Sequence, residues 1–178
     1  MDDHALMQAW QNGDGSAFEQ LYLRHKSPLL RFMKRQVGDP VAEELFQDVW
    51  MKVIKARLNY RPTAAFKTWL YTIARNRMLD HFRSQQRTPV MEWDEDQPLT
   101  AKSDPHVESA NGQQVQRLLH VLQTLPAEQR EVFLLKEEAG FTVPEIAGMI
   151  DCSLEAAKSR LRYAIKKLQQ GMEMYCDA

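Results

Sequence analysis

Two cysteines in 178 residues, Cys152 and Cys176, are too few to frame a disulfide-stapled fold or to close a zinc site. No apolar run approaches the roughly 20 residues that a membrane helix needs. The opening stretch MDDHALMQAW is acidic, where a secretory signal would begin with positive charge. These absences predict a cytoplasmic chain with no membrane insertion. Useful Val/Ile/Thr alternation is missing as well, so strands are not expected. There is no phosphate loop, no cluster of metal-ligand types and no nucleophile set beside a base. The five histidines (His4, His25, His81, His106, His120) are scattered, and each reads as a surface or capping residue rather than a ligand. No catalytic residue, metal or cofactor is therefore expected, which sets enzyme classes aside.

A large net charge is lacking too, the total being −1, but its distribution is uneven. Residues 1–90 carry 14 Lys/Arg against 9 Asp/Glu, residues 91–111 one Lys against six acids, and residues 112–178 eight against nine. An asymmetry of this kind is a pointer to contact with a polyanion.

What is present is helical periodicity. Phe18, Leu21, Tyr22, Leu29 and Met33 mark one helix, expected to bend at Pro28 and to end at Gly38-Asp39-Pro40. Ala42, Leu45, Phe46, Val49, Val53 and Ile54 mark a second over about 40–57, FKTWLYTIARNRMLDHFR (66–83) a third, and residues 2–12 a further short one. Pattern then fails in QQRTPVMEWDEDQPLTAKSDPHVES, which has three prolines and a concentration of acids and reads as a flexible linker. It returns at Val115, Leu118, Leu119 and Leu122, followed by a helix that Pro126 opens and Gly140 closes. The expected fold is all-α: a helical domain over 1–87, an acidic linker over 88–111 and a second helical domain over 112–178.

The second domain carries FTVPEIAGMIDCSLEAAKSRLRYAIKKLQQ. Thr142 and Glu145 form a capping box for a short helix ending at Ile150, Asp151-Cys152 makes a tight turn, and Ser153 caps a longer helix to about Leu168. That is the helix-turn-helix plan. Leu154, Ala157, Leu161, Ile165 and Leu168 are its expected buried stripe, while Lys158, Arg162 and Lys166 fall four apart with Ser159 and Tyr163 alongside. Such a face suits base edges and phosphates in a major groove; a solvated lysine-rich helix has the same spacing. In the first domain, Phe66, Trp69, Leu70, Ile73 and Ala74 gather on one side of the 66–83 helix, and Thr68, Thr72, Arg75, Asn76, Leu79 and Arg83 on another. Arg77 lies near the apolar side, where it should snorkel or pair with an acid. The preceding loop holds Tyr60 and Arg61. An aromatic loop beside an Arg/Asn face suits single-stranded nucleic acid, and an amphipathic helix kept soluble by arginine fits equally well.

Taken in order, AEELFQDVWMKV, FKTWLYTIARNRMLDHFR, LPAEQREVFLL and the helix-turn-helix resemble a bacterial RNA polymerase sigma factor of the extracytoplasmic-function (ECF) class, which keeps regions 2 and 4 only. The resemblance implies that Glu44, Gln47, Asp48, Trp50 and Ile54 bind core RNA polymerase. It implies that Tyr60, Arg61, Arg75, Asn76, Arg77 and Arg83 meet the promoter −10 element, with Tyr60 and Asn76 around a flipped base. Lys158, Ser159, Arg162 and Tyr163 would read the −35 element, and Glu155 would either accept from a cytosine or serve the helix dipole. Core polymerase, promoter DNA and an anti-sigma factor are the implied partners. A stand-alone helix-turn-helix regulator and a degenerate homologue acting by partner binding are the alternatives.

Overall fold

The structure, a computed structural model, describes residues 1–87 and 110–176. The chain forms two compact units, Met1–Asp96 and Gln97–Ala178. All regular structure among the described residues is helical, and no helix there is long and apolar enough to cross a membrane. The expected linker falls almost wholly outside the described residues.

The first unit contains α1 (Asp3–Gln11), α2 (Gly15–Val37), α3 (Asp39–Lys55), a 3-10 turn (Arg57–Asn59) and α4 (Phe66–Arg87). Asp2 caps α1 by accepting from the Ala5 amide at 2.8 Å, satisfying one of the amides a helix start leaves open. The second helix runs unbroken through Pro28. At Gly38 the backbone takes φ 83°, a left-handed value that favours glycine. One residue thus ends α2 and starts α3, whose Pro40 needs no amide partner in the first turn.

Burial follows the 3.6-residue period. The third helix buries Ala42, Leu45, Phe46, Val49, Trp50 and Val53. Leu21, Leu29, Phe32 and Met33 come from α2, and Leu6, Met7 and Trp10 from α1. On α4 the buried set is Phe66, Leu70, Tyr71, Ala74 and Met78. The core face is rotated from the one expected: Tyr71, 5.2 Å from the Phe32 ring, is inside, while Trp69 and Ile73 are half-buried. Each fully buried side chain of this size contributes about 1.5–3 kcal/mol.

The second unit contains α5 (Ala110–Gln123), α6 (Ala127–Glu137), α7 (Val143–Ile150) and α8 (Leu154–Cys176). The capping box at Thr142 and Glu145 is formed in both directions, and the Ser153 hydroxyl accepts from the Ala156 amide at 3.1 Å. Asp151 holds φ 55°, ψ 54°, the left-handed geometry that aspartate tolerates better than most residues. Two expectations for the last helix fail. It continues to Cys176, eight residues past Leu168, and its buried positions are Ala157, Ala164 and Leu168, with Leu161 half-buried. Leu154 and Ile165 stay exposed. Alanines let helices approach closely, so the seam runs through 157, 161, 164 and 168 at helical spacing rather than through the largest side chains. Gly171 extends it: a Cβ there would stand 2.3 Å from Val121 of α5.

Candidate functional site

The outer face of α3 carries Glu44 and Gln47, both exposed, and Ile54 at 42% exposure. Trp50, expected on this surface, is 5% exposed. It continues the buried series 42, 45, 46, 49, 53 and packs edge-on against Tyr22 at 5.0 Å and Phe18 at 6.0 Å. Its indole N–H finds no acceptor among the described residues. Trp50 therefore shapes the helix from within. Asp48 is also partly committed: its Oδ2 accepts from Arg77 Nε at 2.9 Å and lies 2.8 Å from Arg77 Nη2. The expected pairing of Arg77 with an acid is thus realised, and it joins α3 to α4. Two residues read as belonging to separate surfaces hold each other.

The polar face of α4 presents Asn76 and Arg83, seven residues apart and both exposed, with Arg75 half-exposed beside them. Among the described residues Arg83 makes a long 3.8 Å contact with Asp80. Thr72 donates back to the Thr68 carbonyl at 2.7 Å, so its hydroxyl is occupied by its own helix.

The loop between α3 and α4 is built differently from expectation. Tyr60 is 6% exposed, 4.9 Å from the Trp69 ring, and its hydroxyl donates to the Ala64 carbonyl at 3.2 Å. Burial, and next the nearby Asp3 carboxylate, push its pKa above the ordinary tyrosine value. Tyr60 is therefore the floor of the loop, not a free platform for a base. The reason is tertiary: Phe66 and Trp69 offer it an aromatic socket that no local pattern displays. Arg61 remains exposed, its guanidinium donating to the Leu58 carbonyl at 3.3 Å.

Sequence reasoning missed what holds this loop. Gln11 Nε2 of α1 donates to the carbonyls of Arg57 at 2.8 Å and Tyr60 at 3.2 Å. Asp3 bridges Arg24 and His25, the latter at 2.7 Å. His25, read as a surface residue, is buried, and desolvation lowers its pKa despite the Asp3 carboxylate that pulls the other way. A shallow cavity of about 900 Å³ opens here, lined by Asp2, Asp3, His4, Arg24, Tyr60 and the 62–66 loop. The only sequence signal was the Asp/Gln pattern of α1, which by itself names no partner.

In the second unit Lys158, Arg162, Tyr163 and Lys166 are exposed along one side of α8, with Ser159 half-exposed among them. Lys158 Nζ lies 3.3 Å from Glu155 Oε1, and Arg162 Nη2 donates to Ser159 Oγ at 3.3 Å while its guanidinium sits 5.8 Å from the Tyr163 ring. Glu155 is thus engaged with the first lysine of the face. These contacts are solvent-exposed and weak, so phosphates or bases can replace them at small cost. Arg160, on another side, reaches Glu128 of α6 at 3.3 Å and fastens α8 to its own unit. Cys152 and Cys176 are free thiols.

Both units match known proteins, in the same order along the chain. Residues 21–88 match the family described as Sigma-70 region 2, and residues 115–168 match Sigma-70, region 4. The chain is 31% identical to the RNA polymerase sigma factor CarQ of Myxococcus xanthus over 92% of its own length and 94% of that protein. It is 26% identical to the ECF RNA polymerase sigma-E factor of Escherichia coli K12 over 90% of this chain and 89% of that one. Among solved structures, the sigma factor RpoE of Bartonella quintana, in complex with the anti-sigma factor NepR, superposes with a TM-score of 0.69 at 26% identity, covering 88% of this chain and 96% of that chain. With both regions matched and a relative covered nearly end to end, the chain belongs to the RNA polymerase sigma factors, in the ECF class that keeps regions 2 and 4.

Proposed function

We propose that this chain binds core RNA polymerase through the outer face of α3, directs it to −35 and −10 promoter elements, and helps open the −10 region. The observation that supports this reading is one chain presenting an exposed polar and basic face in each of two matched regions: Asn76 and Arg83 on α4, and Lys158, Arg162 and Tyr163 on α8. Glu44, Gln47 and Ile54 serve the polymerase directly, while Asp48 acts through its clasp on Arg77 and Trp50 through the aromatic core. At the −10 element Arg61, Arg75, Asn76 and Arg83 meet the strand, and Tyr60 supports the loop from beneath. Phosphodiester chemistry belongs to the polymerase, and the chain works in the cytoplasm beside it with no cofactor of its own. By analogy with the Bartonella factor bound to NepR, an anti-sigma factor is proposed as a partner of this chain.

Run-off transcription with purified core polymerase and genomic promoter fragments tests the reading. Wild type should give specific transcripts, and Asn76→Ala and Lys158→Ala should each reduce them about tenfold, as expected for losing one direct base or phosphate contact of about 1–3 kcal/mol. Co-elution with core but no transcript would favour a homologue that acts only by partner binding. Absence of co-elution would leave an ordinary helix-turn-helix regulator.

A further inference from the structure

A helix that stops leaves backbone carbonyls without partners in the next turn. Where the chain leaves α3 and the 3-10 turn, those carbonyls are met from two directions. From within the loop, Arg61 Nη1 donates to Leu58 at 3.3 Å and to Tyr60 at 3.4 Å. From outside it, Gln11 Nε2 donates to Arg57 at 2.8 Å and to Tyr60 at 3.2 Å. A carboxamide has two N–H donors, so both are used here. The reverse orientation would press its oxygen against two carbonyl oxygens.

Gln11 is the last residue of α1, and that helix is itself tied down at both ends. Its final turn also holds Arg57 by the side chain, the guanidinium standing 5.6 Å from the centre of the Trp10 ring. At its start Asp3 pairs with Arg24 and with His25 of α2, the latter at 2.7 Å. The His25 ring lies 5.4 Å from Phe66, where the loop gives way to α4. A helix of nine residues is about 13 Å long. It therefore runs from a fixed point on α2 to the backbone of a loop whose residues 61–65 are exposed. The residues matched to Sigma-70 region 2 begin at 21, so α1 lies outside them.

We propose that α1 presets the 57–65 loop for the −10 strand, with Gln11 as the positioning residue. This rests on the reading of the chain as a sigma factor. The Tyr60 carbonyl shows how it works, because it accepts from Gln11 and Arg61 together. When Arg61 turns out to a DNA phosphate, the exposed Leu58 carbonyl can pass to water, and the part-buried Tyr60 carbonyl keeps Gln11. Without Gln11, the same movement would strip a part-buried acceptor of its partners, which is costly. Arg61 would be held back, and the loop backbone would lose its outside tie. Order already present in the free protein does not have to be created when a strand is captured.

Gln11→Glu and Gln11→Leu keep the size of the side chain and remove its donors. Opening is read with full-length protein and core polymerase, from a fluorescent adenine analogue in the −10 element of a promoter fragment. Core affinity and melting temperature are measured alongside. Opening should fall about three- to tenfold in both variants, more in Gln11→Glu, whose carboxylate repels the two carbonyls. Affinity for core should stay as in wild type. Both variants should also discriminate less against base substitutions in the −10 element, with discrimination at the −35 element unchanged. A merely structural role would move the melting temperature and leave that ratio alone. Met33→Ala supplies the comparison: its side chain is fully buried in α2, about 12 Å along the axis from His25. It should lower the melting temperature at least as much and leave opening per bound polymerase unchanged. Opening at the wild-type level in both Gln11 variants would reduce α1 to a part of the fold and leave the sigma reading standing. An equal loss of opening in Met33→Ala, or a parallel loss of core affinity in the Gln11 variants, would have the same meaning. No opening by wild-type protein with core polymerase would instead overturn the sigma reading, and the proposal with it.

Discussion

At the scale of single residues, His25 shows burial and ion pairing pulling in opposite directions. Its ring lies 7% exposed beside Phe66 at 5.4 Å, with Asp3 favouring the charged form and Arg24 and Lys67 opposing it. Desolvation is the largest influence, so the folded-state pKa sits below the ordinary histidine value of 6.5. The sign of the linkage follows. Above the ordinary value both states hold a neutral ring and this residue adds no pH dependence. As pH falls through that value the unfolded chain takes up the proton first, and the fold loses stability until the folded-state ring is protonated as well. Melting temperature should therefore drop between about pH 7.5 and 5.5, a range in which histidine is the main titrating side chain. His25→Gln should flatten that drop. An unchanged slope in the variant would show that the pH response originates elsewhere.

At the scale of elements, the last helix shows how far local pattern can be trusted. Its start was readable because the signals are chemical and short-range: a capping box at Thr142 and Glu145, a left-handed Asp151 and a capping Ser153. Its end was not, because Gln169-Gln170-Gly171 looks like a stop. Gly171 is there for packing, since Val121 occupies the space a side chain would need. Two effects then compete in Gly171→Ala. Alanine gains about 1 kcal/mol of helix propensity, and overpacking against a stiff β-branched neighbour costs about 1–3 kcal/mol. At 2.3 Å the clash should win, so Gly171→Ala should lower the unfolding temperature of the second unit. In a Val121→Ala background the same change should become neutral or stabilising. A stabilising Gly171→Ala in the native background would mean that α5 yields easily. The same limit explains Trp50 and Tyr60. Helical period assigns a face, but residues at its margin are decided by what packs across from them, here Tyr22 and Phe18 for one and Phe66 and Trp69 for the other. The exposure of Asn76, Arg83, Lys158 and Arg162 was legible from sequence because nothing in a core competes for them.

At the scale of the whole molecule, the question is how a protein of net charge −1 works on DNA. Charge is segregated: a surplus of 14 Lys/Arg over 9 acids lies in residues 1–90, and six acids against one Lys lie in residues 91–111. The first segment bears the surfaces proposed for the polymerase and the −10 element. Breaking a stacked duplex step costs about 1.4 kcal/mol, and capturing one base against the protein returns about 1–3 kcal/mol. Tyr60 is buried beneath its loop, so its ring is not placed to supply the upper end of that return. A bubble of several steps therefore cannot be sustained by this chain alone, and the remainder must come from polymerase contacts along both strands. A fluorescent adenine analogue placed in the −10 element should report no unstacking with the free protein at saturating concentration, and a clear increase once core polymerase is added. Stable opening by the free protein would require a second stacking surface on α4 or a rearranged Tyr60. Tyr60→Phe separates the two: it keeps the ring and loses the 3.2 Å bond to Ala64, so opening that increased in this variant would place the missing energy in the loop.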